Sequence, residues 1–255
     1  AIAWSNFYNS VLEFAGVVAP TMLKPLPTES EIRETVDPLT WVELVENTLG
    51  QTLHDNFFDD LVKGVVLTDG LIGTFTSAND YAANICFLYH LIGNGTGEWK
   101  VPKGGMGALV DELERRCREL GVEIRSEVEA ITVEDVGTGV KTTAKNRATG
   151  EALHFTSEVL LANCSPQVLE KIAGIKAPAL RDGSQLKINM VLKELPQLKS
   201  GIDPKKAFAG TFHINESYFQ LERAFEEASK GKIPSEIPSE MYCHTLTDPS
   251  ILSSE

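Results

Sequence analysis

The residues of this 255-residue chain best suited to chemistry by type and spacing are Gly104-Gly105-Met106-Gly107. They open a segment in which Met106, Leu109, Val110, Leu113, Cys117 and Leu120 trace one helical stripe. The first N–H groups of a helix lack intrahelical partners, so they can receive an anion or the polar edge of a cofactor. The same glycines also allow a helix to lie close against a sheet, and spacing alone does not decide between the two. Gly93-Asn94-Gly95-Thr96-Gly97 precedes no helix directly and reads as a turn. No GxGxxG follows a strand, and GxSxG, Walker-loop and HExxH patterns are absent from the sequence. His54, His90, His154, His213 and His244 are scattered, and each reads as structural. Asp59, Asp60 and Asp69 are conceivable acid/base groups, but solvated helix faces and turns are the commoner explanation. Cys86, Cys117, Cys164 and Cys243 form no CxxC and no zinc spacing with histidine, so they read as core thiols in a reducing compartment. The residues thus point to no nucleophile and no metal site.

The elements that position these residues come in three textures. Residues 1 to 98 read as helical, with Phe7, Val11, Phe14 and Val18 on one stripe before Pro20, Pro25 and Pro27 break the chain. Asp37-Pro38 predicts a helix start and carries Trp41, Leu44, Val45 and Leu49 behind it. Phe57 to Leu67 and Asp80 to Ile92 are further apolar helical segments. After the Gly-rich helix, Gly121 stands where a C′ glycine belongs, and Val122–Arg125 reads as a strand. A meander follows through Ile131–Val133, Val140–Ala144 and the Leu153/Phe155 alternation. Glu158 to Asn163 is a continuous apolar run, as expected for a strand covered on both faces, and Pro166 begins a short helix ending at Gly174. Leu186, Ile188, Met190 and Leu192 predict a strand with one buried face and Phe208–Ile214 as its partner, before a capping box at Ser217/Gln220. The stop at Ser253-Ser254-Glu255, with no closing element, suggests truncation.

Composition narrows the function classes. The chain has 23 Lys plus Arg against 36 Asp plus Glu, a formal charge of −13. That opposes binding to nucleic acid or to an anionic membrane surface, both of which demand clustered cations. No apolar run reaches the ~18 residues of a membrane span. The start lacks a basic signal-peptide region, so the glycosylation triplets at Asn94, Asn163 and Asn215 read as chance.

The stretch WKVPKGGMGAL, Trp99 to Leu109, resembles the W/Y-x-x-P-x-GGMGAL segment of the phytoene desaturase-like FAD oxidoreductases. LVDELERRCRELGVEIRSEVEAI and EVLLANCSP resemble the family's continuation, with Cys164-Ser165 where its later motif usually has Ala-Asp. LTDGLIGTF at residues 67–75 and FAGTFHINESYFQLERAFEEASKGKIPSE are similar to a narrower branch, the pyridine nucleotide-disulphide oxidoreductase domain-containing proteins. This narrower likeness covers almost the whole chain.

The resemblance implies an α/β fold: a partial FAD/NAD(P)-binding, Rossmann-like domain at 99–182, with a helical and mixed-sheet substrate domain split between 1–98 and 183–255. It implies an internal fragment, without the N-terminal Gly-rich fingerprint and the C-terminal flavin segment. The intact parent would hold FAD, and the fragment alone would bind little and turn over nothing. By position, the resemblance places the backbone of Val128 at the adenine end of FAD, with Ala162 and Asn163 nearby. Gly104, Gly105 and Met106 would approach the flavin or the domain interface, and catalytic residues stay unassigned. The implied reaction is hydride transfer from an apolar or amine-like small-molecule substrate to flavin. A non-catalytic interaction protein on the same scaffold and a redox-neutral flavoenzyme such as an isomerase are the alternatives. Self-association of the fragment is expected, and the expected address is cytoplasmic, or mitochondrial for a eukaryotic parent.

Overall fold

A computed structural model describes residues 1–93, 95, 100–179 and 183–252. The expected turn at Asn94 and Thr96, the motif residue Trp99 and the terminal Ser253-Ser254-Glu255 lie outside the described residues. The chain divides into two compact units, Ala1–Ala108 with Asp182–Glu255, and Leu109–Arg181. Helix and strand are mixed, as the expected α/β class requires.

The first unit is built on α1 (Ile2–Val18), α2 (Glu29–Arg33), α3 (Pro38–Trp41), α4 (Leu49–Asn56), α5 (Asp60–Leu71) and α6 (Tyr81–Ile92). Short polar side chains start α2 to α6 by accepting otherwise unpaired N–H groups. Asp37 accepts from Thr40 N at 2.9 Å with Pro38 in the first turn, and Asp59 accepts from Leu61 N at 2.8 Å. The helix begun at Pro38 passes into a π-helical turn, Val42–Glu46, and Thr48 caps a separate helix, so Leu49 opens α4 instead of closing α3. Asn84, 5% exposed, makes that junction possible. Its Nδ2 donates to Leu44 O at 3.1 Å and Asn47 O at 2.8 Å, and its Oδ1 accepts from Leu49 N at 2.8 Å.

Phe7, Val11 and Phe14 of α1 enter a core with Trp41, Leu44, Leu53, Val66, Leu67 and Phe87. The Phe7 ring stands edge-on to Phe57, centroids 5.3 Å apart. Such burial, worth about 1.5–3 kcal/mol per large apolar side chain, is what holds short helices together. The later part of this unit contains α9 (Pro204–Ala207), α10 (Tyr218–Ser229), α11 (His244–Thr247) and a two-stranded antiparallel ribbon of β4 (Phe212–Ile214) and β5 (Ser239–Met241). α10 begins with the expected Ser217/Gln220 capping box. It packs on α5, where Gly64 lets the backbone of Glu216 and Ser217 come close.

The boundary between the units falls within α7 (Gly105–Glu119), the Gly-rich helix. Gly121 ends it at φ +76°, with Val122 N donating to Cys117 O at 2.9 Å. The second unit holds the expected meander, β1 (Val128–Asp135), β2 (Val140–Asn146) and β3 (Ala152–Ser157), antiparallel in that order. α8 (Pro166–Ala173), capped by Ser165 and closed by left-handed Gly174, packs on β1.

Three expected strands do not form. Residues 122–125, 158–163 and 186–192 are irregular, and β4 pairs with β5 instead of with 186–192. A strand exists only through a ladder, and no described residue supplies one to these runs. Val159 is 72% exposed and Leu161 91%, the opposite of a strand covered on both faces. The α7 stripe meets the same fate: the helix forms, but Met106, Leu109, Val110 and Leu113 stay exposed.

Candidate functional site

The Gly-rich start of α7 has the backbone that only glycine adopts readily. Gly104 sits at φ +85° and Gly105 at φ +70°, both left-handed. Their N–H groups are served from within the chain. Gly104 N donates to Asp248 Oδ2 at 2.5 Å, and Gly105 N also contributes to that carboxylate. Asp248 is in turn held by the Ser250 hydroxyl at 2.6 Å and Ser250 N at 3.1 Å. These donors, the Ser250 hydroxyl first and then Gly104 N–H, hold the carboxyl below the usual carboxylate range. The expected anion slot therefore takes a carboxylate 144 residues away in sequence. Met106 is exposed, and a Cβ at Gly105 or Gly107 would meet nothing within 4 Å.

The other expected cofactor residues belong to the second unit. Glu127, at φ +54°, turns the chain into β1, and its carbonyl accepts from Arg147 N at 2.8 Å. Val128 follows as the half-buried first residue of β1, opposite Asn146. β1 is an edge of its sheet, so one side of its backbone has no strand partner among the described residues. Ala162 and Asn163 are exposed and lead into α8, which lies against β1. Val128, Ala162 and Asn163 thus share one unit, and Gly104, Gly105 and Met106 belong to the other.

Of the aspartates, Asp59 caps α5 and Asp60 accepts from Phe219 N at 3.3 Å, both structural tasks. Asp69 pairs with His90 Nε2 at 3.2 Å. His54 contacts Lys63 at 3.3 Å and stacks edge-on to Tyr218, and His154 contacts Thr143 at 3.4 Å. His244 lies beside Tyr242, and His213 meets two glutamates, a grouping no sequence pattern announced. All four cysteines are free thiols. A cavity of about 730 Å³ opens along α10 at Ser77, Phe225 and Lys230, and none of the expected cofactor residues lines it.

Residues 12–182 match the family model described as flavin containing amine oxidoreductase. The chain belongs to this family. It is 36% identical to an uncharacterized protein of Mycobacterium bovis, a match covering 99% of this chain and 49% of the relative. An uncharacterized protein of Mycobacterium tuberculosis gives the same figures. The pyridine nucleotide-disulfide oxidoreductase domain-containing protein 2 of Mus musculus is 28% identical, over 83% of this chain and 39% of its own length. The chain therefore spans about half the length, or less, of these curated relatives. No solved structure matches it significantly.

Membership in the amine oxidoreductase family supports a flavin oxidoreductase type of function. Gly104, Gly105, Met106, Val128, Ala162 and Asn163 all fall inside the matched segment, and His213 falls outside it. No helix among the described residues is long and apolar enough to cross a membrane.

Proposed function

We propose that this chain is part of a FAD-dependent oxidoreductase that takes a hydride from an apolar or amine-like small molecule, in the phytoene desaturase-like manner. The observation that carries this reading is the family match over residues 12–182. FAD, when bound, accepts the hydride, and the protein's part is to bind, orient and exclude water. In this reading the unit Leu109–Arg181 belongs to the FAD domain, and the helical unit with its β4–β5 ribbon faces substrate. The backbone at the start of β1, at Val128, receives the adenine edge, and the exposed segment Ala162-Asn163 lies against the same end of the cofactor. The fit rests on an edge strand whose backbone has one side without a strand partner among the described residues.

The chain by itself is proposed to bind FAD poorly and to be inactive. The pyrophosphate of a dinucleotide normally rests on a Gly-rich loop between strand and helix, and the sequence has no such fingerprint. Exposed Val159 and Leu161 and the exposed apolar residues along α7 support self-association of the isolated chain. The free thiols fit a reducing compartment, cytoplasmic or mitochondrial.

One observation favours a second reading, a scaffold protein without catalysis: Asp248 already serves the N–H of Gly104. Anaerobic titration of the full-length natural protein with apolar amines and unsaturated hydrocarbons separates the two. Bleaching of its flavin band by a member of the panel supports the oxidoreductase. A protein that takes up no flavin supports the scaffold.

A further inference from the structure

The β4–β5 ribbon pairs His213 directly with Glu240. Residues directly opposite in an antiparallel pair project from the same face, so the imidazole and the carboxylate stand together. Two residues beyond His213 the chain turns sharply at Asn215, a non-glycine residue at φ +55°. The turn brings Glu216 back to the same place, where its Oε2 lies 2.5 Å from His213 Nδ1. Glu240 Oε1 lies 3.9 Å from the same nitrogen. The position of Glu216 is fixed from behind: a Cβ on Gly64 of α5 would come within 1.9 Å of its carbonyl oxygen, so helix and turn are in close contact.

The side chain of Glu216 is 6% exposed, against 25% for His213 and 23% for Glu240, so the group is buried on one side and reachable on the other. Three donor atoms, one from each residue, lie within 4.8 Å of one another. The charged groups acting on Glu240 include Asp69, which adds negative charge, and the imidazoles His213 and His90. Among the described residues, neither Glu216 nor Glu240 forms an ion pair with a lysine or arginine. Two carboxylates held together in a half-buried site around an imidazole lack a strong positive charge.

We infer that His213, Glu216 and Glu240 form a binding site for a divalent transition-metal cation of the Zn²⁺ type. One neutral imidazole and two carboxylates balance a dication and leave one position open to solvent, a donor set that Zn²⁺ accepts. Bonds of about 2.1 Å in a tetrahedron place donors about 3.4 Å apart. The distances of 2.5 and 3.9 Å bracket that value, so each has to change by less than about 1 Å. The inference is independent of the flavin reading, since its three ligand residues lie beyond the segment matched to the flavin family.

The test uses the full 255-residue chain, stripped with EDTA, exposed to Zn²⁺, desalted and assayed for metal. The expected result is about one Zn²⁺ per chain, with His213→Gln and Glu240→Gln lowering affinity roughly tenfold or more, since even outer-sphere changes cost 10–100-fold. Glu226→Gln, which alters an exposed partner of Lys230, serves as the control and keeps the metal. Retention unchanged in both ligand variants would place the metal elsewhere on the chain and overturn the inference, as would no retention by the unmodified chain. Co²⁺ in the unmodified chain decides the matter even where a variant misfolds. Visible d–d bands without a thiolate-to-cobalt charge-transfer band are expected, and a thiolate band would overturn it.

Discussion

Replacing Gly64 with alanine tests how α5 is fitted against the start of α10. In an isolated helix the change is favourable by about 1 kcal/mol, because alanine restricts the unfolded chain. Here the added Cβ would stand 1.9 Å from Glu216 O and 2.7 Å from the carbonyl carbon and Cα of Ser217. These are backbone atoms, so no side-chain rotation relieves them. Reaching ordinary contact at 3.4 Å requires α5 and the turn to part by about 1.5 Å, opening a core that includes Val66, Leu67 and Leu221. Overpacking of this kind costs about 1–3 kcal/mol, occasionally more, and a backbone clash belongs at the upper end. After the helix gain is subtracted, a net loss of about 2 kcal/mol is expected for Gly64→Ala. Gly107 in α7 is the matched contrast, with nothing within 4 Å of its Cβ position. There alanine is expected to add about 0.5–1 kcal/mol. Urea denaturation of both variants against the unmodified chain reads the two signs. A Gly64→Ala chain as stable as the original would refute the close approach of α5 to Glu216.

Asn84→Leu removes three hydrogen bonds from the α3–α4 junction and leaves Leu49 N, Leu44 O and Asn47 O short of a partner, so a loss of about 2–4 kcal/mol in urea is expected. Burial first, with the charge of Glu240 adding and the hydrogen bond to His213 opposing, pushes the Glu216 carboxyl up to about 7 from 4.5. The folded state then holds that proton more tightly than the unfolded one. In EDTA the stability contribution is full below pH 4.5, declines as pH rises, and levels off above about 7. Denaturation midpoints across this range should show the decline, and Glu216→Gln should reduce it, leaving the smaller part that comes from Glu240, whose carboxyl burial also raises. Asp248→Ala is expected to speed amide hydrogen exchange at Gly104 and Gly105, while Asp248→Asn, which keeps an acceptor, changes it less.

Local signals carried well from sequence to structure. Asp37-Pro38, Ser217/Gln220 and Gly121 act through neighbours within a few residues, and each starts or ends a helix where its chemistry predicts. The antiparallel meander was legible because alternation and turns are also local. The runs 158–163 and 186–192 carry strand-like patterns but find no ladder among the described residues, and pairing is not a property of one segment. The candidate contacts were the least legible. Asp248 reaches Gly104 across 144 residues, and His213 meets Glu240 only through the register of a short ribbon. Scattered histidines and glutamates give no sequence signal of that kind. Exposure of the α7 stripe could not be read from its periodicity, which predicts an apolar face but not what covers it.

The most direct test of the flavin account is an absorbance spectrum of the full-length natural protein containing this chain, after incubation with FAD and desalting. The account predicts visible flavin bands at about one FAD per protein, with the isolated 255-residue chain emerging colourless. A full-length protein that stays colourless would contradict it and favour the scaffold reading.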